Sequence, residues 1–170
     1  MSEDQGAEAK ARNICLRLLA SAPRTRAQLA EALRRREVDD DTAEAVLGRF
    51  GEVGLIDDAA FAAAWVESRH TGRGLARKAL AVELRRRGVA EDMVREAVSD
   101  VDPADEEEMA RHLVRRKLAA TRGKEPATRV RRLMGVLARK GYSSALAYRV
   151  VREELDSEGI EFELGDPDVE

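Results

Sequence analysis

The sequence is poor in the residues that build disulfides, metal sites and β-sheets. Its 170 residues include one cysteine and two histidines, and aromatic residues make up 4% of the chain. The single cysteine, Cys15, excludes an intramolecular disulfide and is typical of a reducing compartment. We expect no signal peptide, and no apolar run approaches the length of a membrane span. The sequence therefore predicts a cytoplasmic protein without a membrane contact.

The catalytic motifs of common enzyme classes are also missing. His70 and His112 are far apart in sequence, and neither has a Cys or His partner at zinc spacing. There is no phosphate-binding Gly-x-x-x-x-Gly-Lys-Ser/Thr loop and no Gly-x-Ser-x-Gly. The carboxylate pair Asp57–Asp58 fits a helix cap better than an acid–base pair. We predict that the protein is not an enzyme and uses neither a cofactor nor a metal.

What the sequence has instead is a helical composition with a long internal repeat. Charged residues make up 37% of the chain, and clusters of β-branched residues with period two are absent. Three leucine pairs begin at Leu29, Leu80 and Leu133. Each pair is followed by polar residues, and an apolar pair begins 17 positions after its first leucine. Successive units lie 51 and 53 positions apart. This period predicts an all-α chain of three tandem three-helix, helix-turn-helix-like repeats in an elongated, curved molecule.

The repeat and its punctuation predict the domain organisation. We expect a flexible N-terminus over 1–8, repeat 1 over 9–56, repeat 2 over 57–102, repeat 3 over 103–156 and an acidic flexible tail over 157–170. In each repeat the leucine pair, the late apolar pair and one face of the first helix should form the core.

Turn and cap residues support these helix boundaries. Gly88 and Gly141 suit the left-handed position after the middle helices, whereas Glu37 stands at the equivalent place in repeat 1. We therefore expect a less regular turn there. Thr25 and Ser143 are predicted to cap the helices that follow them.

Positive charge is concentrated although the formal net charge is −3. Residues 109–152 hold 13 basic side chains and one acidic side chain, Glu125, while the chain after Arg152 has no basic residue. A density of like charge of this kind indicates a polyanionic partner, either nucleic acid or an acidic protein groove. The candidate contact residues lie on the middle helices and the long first helix of repeat 3: Arg73, Arg77, Lys78, Arg85, Arg86, Arg87, Arg115, Arg116, Lys117, Arg129, Arg131, Arg132, Arg139 and Lys140.

A helix-turn-helix regulator that binds duplex DNA is the alternative interpretation. The last helix of each repeat would then read the bases, but in repeats 1 and 2 that helix carries carboxylates, which phosphates repel. Only the last helix of repeat 3 has a suitable set: Ser143, Ser144, Tyr148, Arg149 and Arg152.

Two blocks of repeat 2 resemble a known family. Residues 54–69 read GLIDDAAFAAAWVESR, and residues 74–89 read GLARKALAVELRRRGV. With Ala11–Arg12 and the helix around Leu29 and Leu33, these blocks make residues 9–155 similar to the RecX family of recombinase regulators. Ala79, where family members often carry a basic residue, departs from the usual pattern, as does Glu37.

The resemblance implies both the architecture and the function. Members of the RecX family are tandem three-helix proteins without catalytic residues that bind RecA and its filament on single-stranded DNA. They inhibit strand exchange, ATP hydrolysis and coprotease activity, and so modulate DNA repair, recombination and the SOS response. We expect a monomer whose basic residues named above contact RecA or DNA, and direct DNA binding stays open.

Overall fold

The computed structural model describes residues 2–159, which form helices and turns without a strand. Within these residues the helices are α1 (Ser2–Ser21), α2 (Arg26–Arg35), α3 (Asp40–Glu52), α4 (Asp58–Arg73), α5 (Arg77–Arg86), α6 (Glu91–Ser99), α7 (Pro103–Thr121), α8 (Pro126–Arg139) and α9 (Ser144–Ser157). The predicted all-α fold with three helices in each repeat is confirmed. The predicted acidic tail lies outside the described residues from position 160 onward.

The first helix is longer than the sequence suggested. It begins at Ser2, whereas the first repeat was predicted to begin at residue 9; the predicted flexibility of residues 1–8 stays a prediction. The acidic residues Glu3 and Asp4 lie in its first turn, where they complement the positive end of the helix dipole. Residues 3–7 are exposed, so this extension adds helix without adding core.

Side-chain caps fix several helix starts. At α2, Thr25 and Gln28 form a reciprocal capping box: the Thr25 hydroxyl accepts from the Gln28 amide at 3.1 Å, and the Gln28 side chain accepts from the Thr25 amide at 3.0 Å. The hydroxyl of Ser143 accepts from the amide of Leu146 at 3.3 Å at the start of α9. Asp57 accepts from the amide of Ala60 at 3.0 Å, which confirms its assignment as a cap. These caps satisfy donors that the first helical turn leaves unpaired.

The predicted cores of repeats 1 and 3 are present. In repeat 1, Leu29 and Leu33 of α2 pack with Val46 and Leu47 of α3 and with α1. In repeat 3, the equivalent leucines and valines pack with one side of α7: Leu133, Leu137, Val150, Val151, Ala110 and Val114. In repeat 2, Leu80 and Leu84 are also fully buried. The periodic apolar positions of the sequence are therefore core positions, which is why their spacing is kept.

The turn after α2 is as regular as the other two, so the expectation of a distorted turn at Glu37 is wrong. Glu37 has φ 59°, close to the φ of 80° at Gly88 and 91° at Gly141. In all three turns the amide of the next residue donates to the carbonyl of the second leucine, at 3.0 Å, 3.2 Å and 3.1 Å. Glu37 adopts the left-handed conformation that glycine adopts elsewhere, at a steric cost that glycine avoids.

Glycine is required at the other two turns because another helix approaches closely. A Cβ on Gly88 would lie 2.3 Å from the Cβ of Ala27 near the start of α2. A Cβ on Gly141 would lie 2.6 Å from the Cβ of Ala79 near the start of α5. Ala79, noted above as a departure from the pattern, is therefore a packing position in this chain.

Hydrogen bonds accompany both approaches. The Thr25 hydroxyl donates to the carbonyl of Arg87 at 2.6 Å, and the amide of Ala76 donates to the carbonyl of Lys140 at 2.9 Å. The hydroxyl of Tyr142 also donates to the carbonyl of Gly74 at 2.8 Å. The turn of one repeat thus docks on the start of the middle helix of the repeat before it.

These contacts divide the chain into two compact bodies. The first body joins the segment that ends at Ser68 with Leu80–Asp100, and the second joins Arg69–Ala79 with the segment from Val101 onward. Helices α4 and α5 therefore each contribute residues to both bodies.

No helix within residues 2–159 combines the length and apolar character that crossing a bilayer requires. The same residues contain no group of three or more His, Cys, Asp or Glu side chains placed to hold a metal ion.

Candidate polyanion-binding site

A basic groove lies between α7 and α8 in the second body. Its volume is about 440 Å³, and its charged lining consists of Lys117, Arg131, Arg132 and Arg139. On α8, Arg132 and Arg139 are seven residues apart, so they lie two turns apart on one side of the helix. Lys117 faces them from α7. The structure thus brings four of the predicted contact residues to one surface.

Glycine at position 135 shapes this groove. A Cβ there would lie 3.2 Å from Nη1 of Arg139, so the absent side chain leaves room for the guanidinium of Arg139 over its own helix. Val136 and Ala120 complete the floor beside it. The groove therefore combines a shallow apolar floor with cationic walls.

The four cations have no carboxylate partner among the described residues. All four side chains are exposed, and none takes part in an ion pair within residues 2–159. Unneutralised charges of one sign in a groove attract an anion more strongly than the same charges on a flat surface, because the low-dielectric walls focus the field.

Acidic side chains of α7 and α9 pair with arginines between these two helices. The guanidinium of Arg111 donates to Glu107 at 2.7 Å and to Glu153 at 2.9 Å. The guanidinium of Arg115 donates to both carboxylate oxygens of Glu154, at 3.0 Å and 3.1 Å. At 100° per residue, Arg111 and Arg115 lie about 120° and about 160° around α7 from Lys117, on a different side of the helix. The α7–α9 side is thus neutralised, and the α7–α8 side keeps its charge.

The pKa values of Arg111 and Arg115 reflect these ion pairs. The hydrogen bond with Glu154 raises the pKa of Arg115 above its ordinary value, and the bond with Glu153 does the same for Arg111. Both guanidinium groups are therefore committed cations with committed partners. Arg115 remains 57% exposed, yet its charge is already compensated.

Arg129 has a structural position, so its predicted contact role is corrected. The residue is 3% exposed, and its Nε donates to the Thr121 hydroxyl at 3.0 Å. Its Nη2 donates to the Glu158 carboxylate at 2.8 Å. This guanidinium connects α7, α8 and the end of α9, and it is not accessible to a partner in this structure.

The other predicted cations fall into two groups. Arg77, Arg85 and Arg87 have partners: the Glu106 carboxylate at 3.0 Å, the Glu91 carboxylate at 2.7 Å, and the ring of Trp65 at 3.7 Å. The remaining five do not line the α7–α8 groove, and they comprise the exposed side chains of Arg73, Lys78, Arg86 and Arg116 and the half-buried Lys140.

The aromatic block of repeat 2 lies at the edge of the first body. Trp65 is half-buried and stacks on Phe61 with ring centroids 5.7 Å apart, while Ala62 and Val66 form the buried side of α4. Nε1 of Trp65 donates to Glu83 at 2.9 Å. The ring of Phe61 is likewise half-buried. The guanidinium of Arg87 over the Trp65 ring leaves that face unavailable for stacking on a base.

A second set of basic residues was not predicted as a binding site. Arg24, Arg35 and Arg36 were not among the candidate contacts, yet they share a groove with Arg86 and Arg87 in the first body. The signal that could have found them is the run of arginines at the end of the first two middle helices, Arg34–Arg36 and Arg85–Arg87.

Family models match most of the chain. The model described as "RecX, first three-helix domain" matches residues 11–50, the second three-helix domain matches residues 57–98, and the third matches residues 105–151. These three matches follow the order of the repeats in the sequence.

Relatives named regulatory protein RecX are similar over nearly the whole chain. A regulatory protein RecX of Thermobifida fusca (strain YX) is 68% identical over 160 residues, which cover 94% of this chain and 86% of that protein. One of Streptomyces coelicolor (strain ATCC BAA-471 / A3(2) / M145) is 63% identical over 92% of this chain and 84% of its own length. One of Mycolicibacterium smegmatis (strain ATCC 700084 / mc(2)155) is 47% identical over 89% of this chain and 82% of its own length.

Solved structures share the fold. The crystal structure of RecX from Lactobacillus salivarius superposes with a TM-score of 0.81 at 18% identity, and it covers 92% of this chain and 99% of that one. Another crystal structure, of a regulatory protein RecX, gives a TM-score of 0.78 at 23% identity over 89% of this chain and 74% of that one. The three domain matches and the identities of up to 68% show that the chain belongs to the RecX family and has its regulatory role.

Proposed function

We propose that this protein binds RecA and RecA–DNA filaments and inhibits their recombinase, ATPase and coprotease activities. In doing so it would modulate DNA repair, recombination and the SOS response. Membership of a family of regulatory proteins supports the regulatory part of this proposal. The partner and the activities inhibited are inferred from the chemistry of the surface and from the family resemblance.

The observation that carries the proposal is the separation of charge around α7. Lys117, Arg131, Arg132 and Arg139 keep their charge in one groove, whereas Arg111 and Arg115 of α7 are paired with carboxylates. Like charges held together destabilise a compact fold, and a polyanion would relieve that repulsion. A nucleoprotein filament presents such a polyanion in its DNA strand.

The tandem architecture suits a partner that is itself repetitive. Repeats carrying separate basic surfaces can contact successive subunits or nucleotides of one filament, and each contact after the first is intramolecular. Weak individual contacts then add up to stable binding without an enzyme-like pocket. A single copy of the chain suffices for this mode of binding, in line with the expected monomer.

A duplex-specific DNA-binding regulator remains the second candidate, and α9 is the element that favours it. Tyr148 is 39% exposed on this helix, and Arg152 is exposed without an ion pair among the described residues. Against it, Arg149 lies 3.4 Å from the Glu107 carboxylate, and the second half of α9 carries Glu153 and Glu154. Carboxylates on a reading helix oppose entry into the phosphate-lined major groove.

Inhibition of the ATPase of RecA on single-stranded DNA tests the proposal. Wild-type protein should inhibit at substoichiometric ratios to RecA. The triple variant Arg131→Ala/Arg132→Ala/Arg139→Ala should require at least about tenfold more protein, and its filament binding should depend less on salt because fewer counterions are released.

The matched variant is Arg122→Ala/Lys124→Ala/Arg152→Ala, which removes three positive charges from the same body outside the groove. It should inhibit like the wild type. Equal loss in both variants would show that only net charge matters. The second candidate would be favoured by a different pair of results. The wild type would fail to inhibit RecA but bind one duplex sequence tightly, and the variant with Arg152→Ala would lose that binding.

A further inference from the structure

A second basic groove runs along α2 in the first body. Its volume is about 470 Å³, and five arginines line it: Arg24 ahead of the helix, Arg35 and Arg36 at its end, and Arg86 and Arg87 at the end of α5. The helix side that forms the wall includes Gln28, Ala32 and Arg35, which follow at helical spacing. Residues 51 positions apart in sequence are thus assembled into one cationic surface.

Fixed contacts hold the two walls together. The buried hydroxyl of Thr25 donates to the carbonyl of Arg87 at 2.6 Å, and Gly88 lets the backbone approach Ala27 directly. The guanidinium of Arg87 is stacked 3.7 Å from the centre of the Trp65 ring, and its Nη1 donates to the carbonyl of Glu83 at 3.1 Å. The wall that α5 contributes is therefore ordered before any ligand arrives.

The groove has an excess of unsatisfied positive charge. One carboxylate, Glu31, lines it, and that group already bridges Arg34 at 2.9 Å and Arg35 at 3.2 Å. The side chain of Arg86 takes part in no ion pair or hydrogen bond with another described residue, and that of Arg36 donates only to the Ala32 carbonyl at 3.2 Å. Nη2 of Arg24 donates to the Ser21 hydroxyl at 3.3 Å, whereas its Nε is buried and has no hydrogen-bond acceptor among residues 2–159. A buried donor without a partner is costly, so this site lacks an acceptor.

We propose that this groove binds the phosphodiester backbone of single-stranded nucleic acid. Guanidinium groups match phosphate oxygens with two parallel hydrogen bonds, and they keep their charge at any physiological pH. The ten residues of α2 extend about 15 Å, so the groove can contact more than one phosphate of a strand that follows the helix.

Backbone contact without base readout follows from the rest of the lining. No aromatic ring lines the groove, and the Trp65 face nearby is covered by Arg87. Bases would therefore find no stacking platform. An acidic peptide is the competing ligand, but Leu18 is the one large apolar side chain in the lining, which offers little to the apolar side of a peptide helix.

This site shares no residue with the α7–α8 groove, and its proposed ligand is nucleic acid without RecA. The inference therefore does not rest on RecA binding, and it can fail while the proposed inhibition of RecA stands. The chain would hold DNA at one body whether or not a filament is present.

Fluorescence anisotropy with labelled oligothymidylate, in the absence of RecA, tests the inference. The double variant Arg36→Ala/Arg86→Ala should bind on the order of tenfold more weakly at low salt. The slope of log affinity against log salt should become shallower by about 1.4, because each lost phosphate contact on a single strand contributes about 0.7.

The control is Arg17→Ala/Arg95→Ala, which removes two exposed positive charges from the same body at residues that neither line the groove nor pair with its carboxylate Glu31. It should keep the wild-type slope, and thermal unfolding should show that both variants are folded. Three results would overturn the inference: no binding of oligothymidylate by the wild type, equal changes in the two variants, or a loss in the groove variant confined to a polyglutamate peptide.

Discussion

Glu37 shows how a single residue can satisfy the backbone of a repeat without the usual amino acid. Its φ of 59° is in the left-handed region, which costs an ordinary L-residue about 1 kcal/mol relative to glycine. Gly88 and Gly141 cannot be replaced in this way, because Ala27 and Ala79 occupy the space of a Cβ.

Replacing Glu37 with glycine should therefore stabilise the protein. The change relieves the left-handed strain but makes the unfolded chain more flexible, so the net gain should be about 0.5 kcal/mol. Urea unfolding followed by circular dichroism measures it. Gly88→Ala is the paired variant and should lose at least about 2 kcal/mol through strain and overlap with Ala27. A destabilising Glu37→Gly would mean that the Glu37 side chain makes a contribution larger than the strain.

At the scale of elements, repeat 3 is held by charge as well as by its apolar core. The buried guanidinium of Arg129 on α8 bonds to Thr121 on α7 and to Glu158 just after α9. Its Nε and Nη2 both have acceptors, one of them a carboxylate, which is what allows a charge to be buried at 3% exposure. The arginine that looked like one more partner contact is therefore part of the three-helix junction.

Arg129→Ala should accordingly destabilise the second body rather than weaken binding. Removing one partner leaves Glu158 and Thr121 without their donor, and we expect a loss of about 3 kcal/mol in the free energy of unfolding. Chemical denaturation provides the measurement. Arg131→Ala, an exposed neighbour without an ion pair among the described residues, should change stability by less than about 0.5 kcal/mol. Comparable losses in the two variants would contradict the assignment of Arg129.

At the scale of the whole molecule, charge is unevenly distributed along the chain. Residues 160–170 contain five acidic residues and no basic residue: Glu161, Glu163, Asp166, Asp168 and Glu170. Removing them changes the formal net charge from −3 to +2. The field that a DNA strand meets depends on this total as well as on the two grooves.

A chain that ends at Gly159 should therefore associate with DNA faster than the full-length protein. We expect an increase of about tenfold in the association rate at low ionic strength, which should disappear in high salt. Stopped-flow fluorescence with labelled oligonucleotide measures it. A full-length variant with the five acids changed to Gln or Asn should behave like the truncated chain. If only the truncation accelerates binding, the effect belongs to the length of the segment rather than to its charge.

Much of the fold could be predicted from local patterns. The leucine pairs at a constant spacing identified the middle helices and their cores, and the capping box at Thr25 marked the start of α2. Such signals act over a few residues, so they can be read without the tertiary structure. The extension of α1 to Ser2 was missed because an exposed polar helix carries no apolar periodicity.

The candidate site was predictable only in part, because residues far apart in sequence become neighbours in the folded chain. Counting charges along the chain gave residues 109–152 an excess of positive charge, but it treated the carboxylates on either side as separate blocks. Folding brings Glu107 and Glu153 together at Arg111, and Glu154 to Arg115. Lys117, Arg131, Arg132 and Arg139 face the other way and keep their charge.

The sequence by itself determined that this protein is a tandem array of three-helix repeats in the RecX family, because periodic leucines and specific blocks do not depend on knowing which helices meet. Only the tertiary structure decided which positive charges are available to a partner. Coulomb energy falls with distance in space, and ion pairs between α7 and α9 span about 40 positions of sequence that a linear count cannot connect.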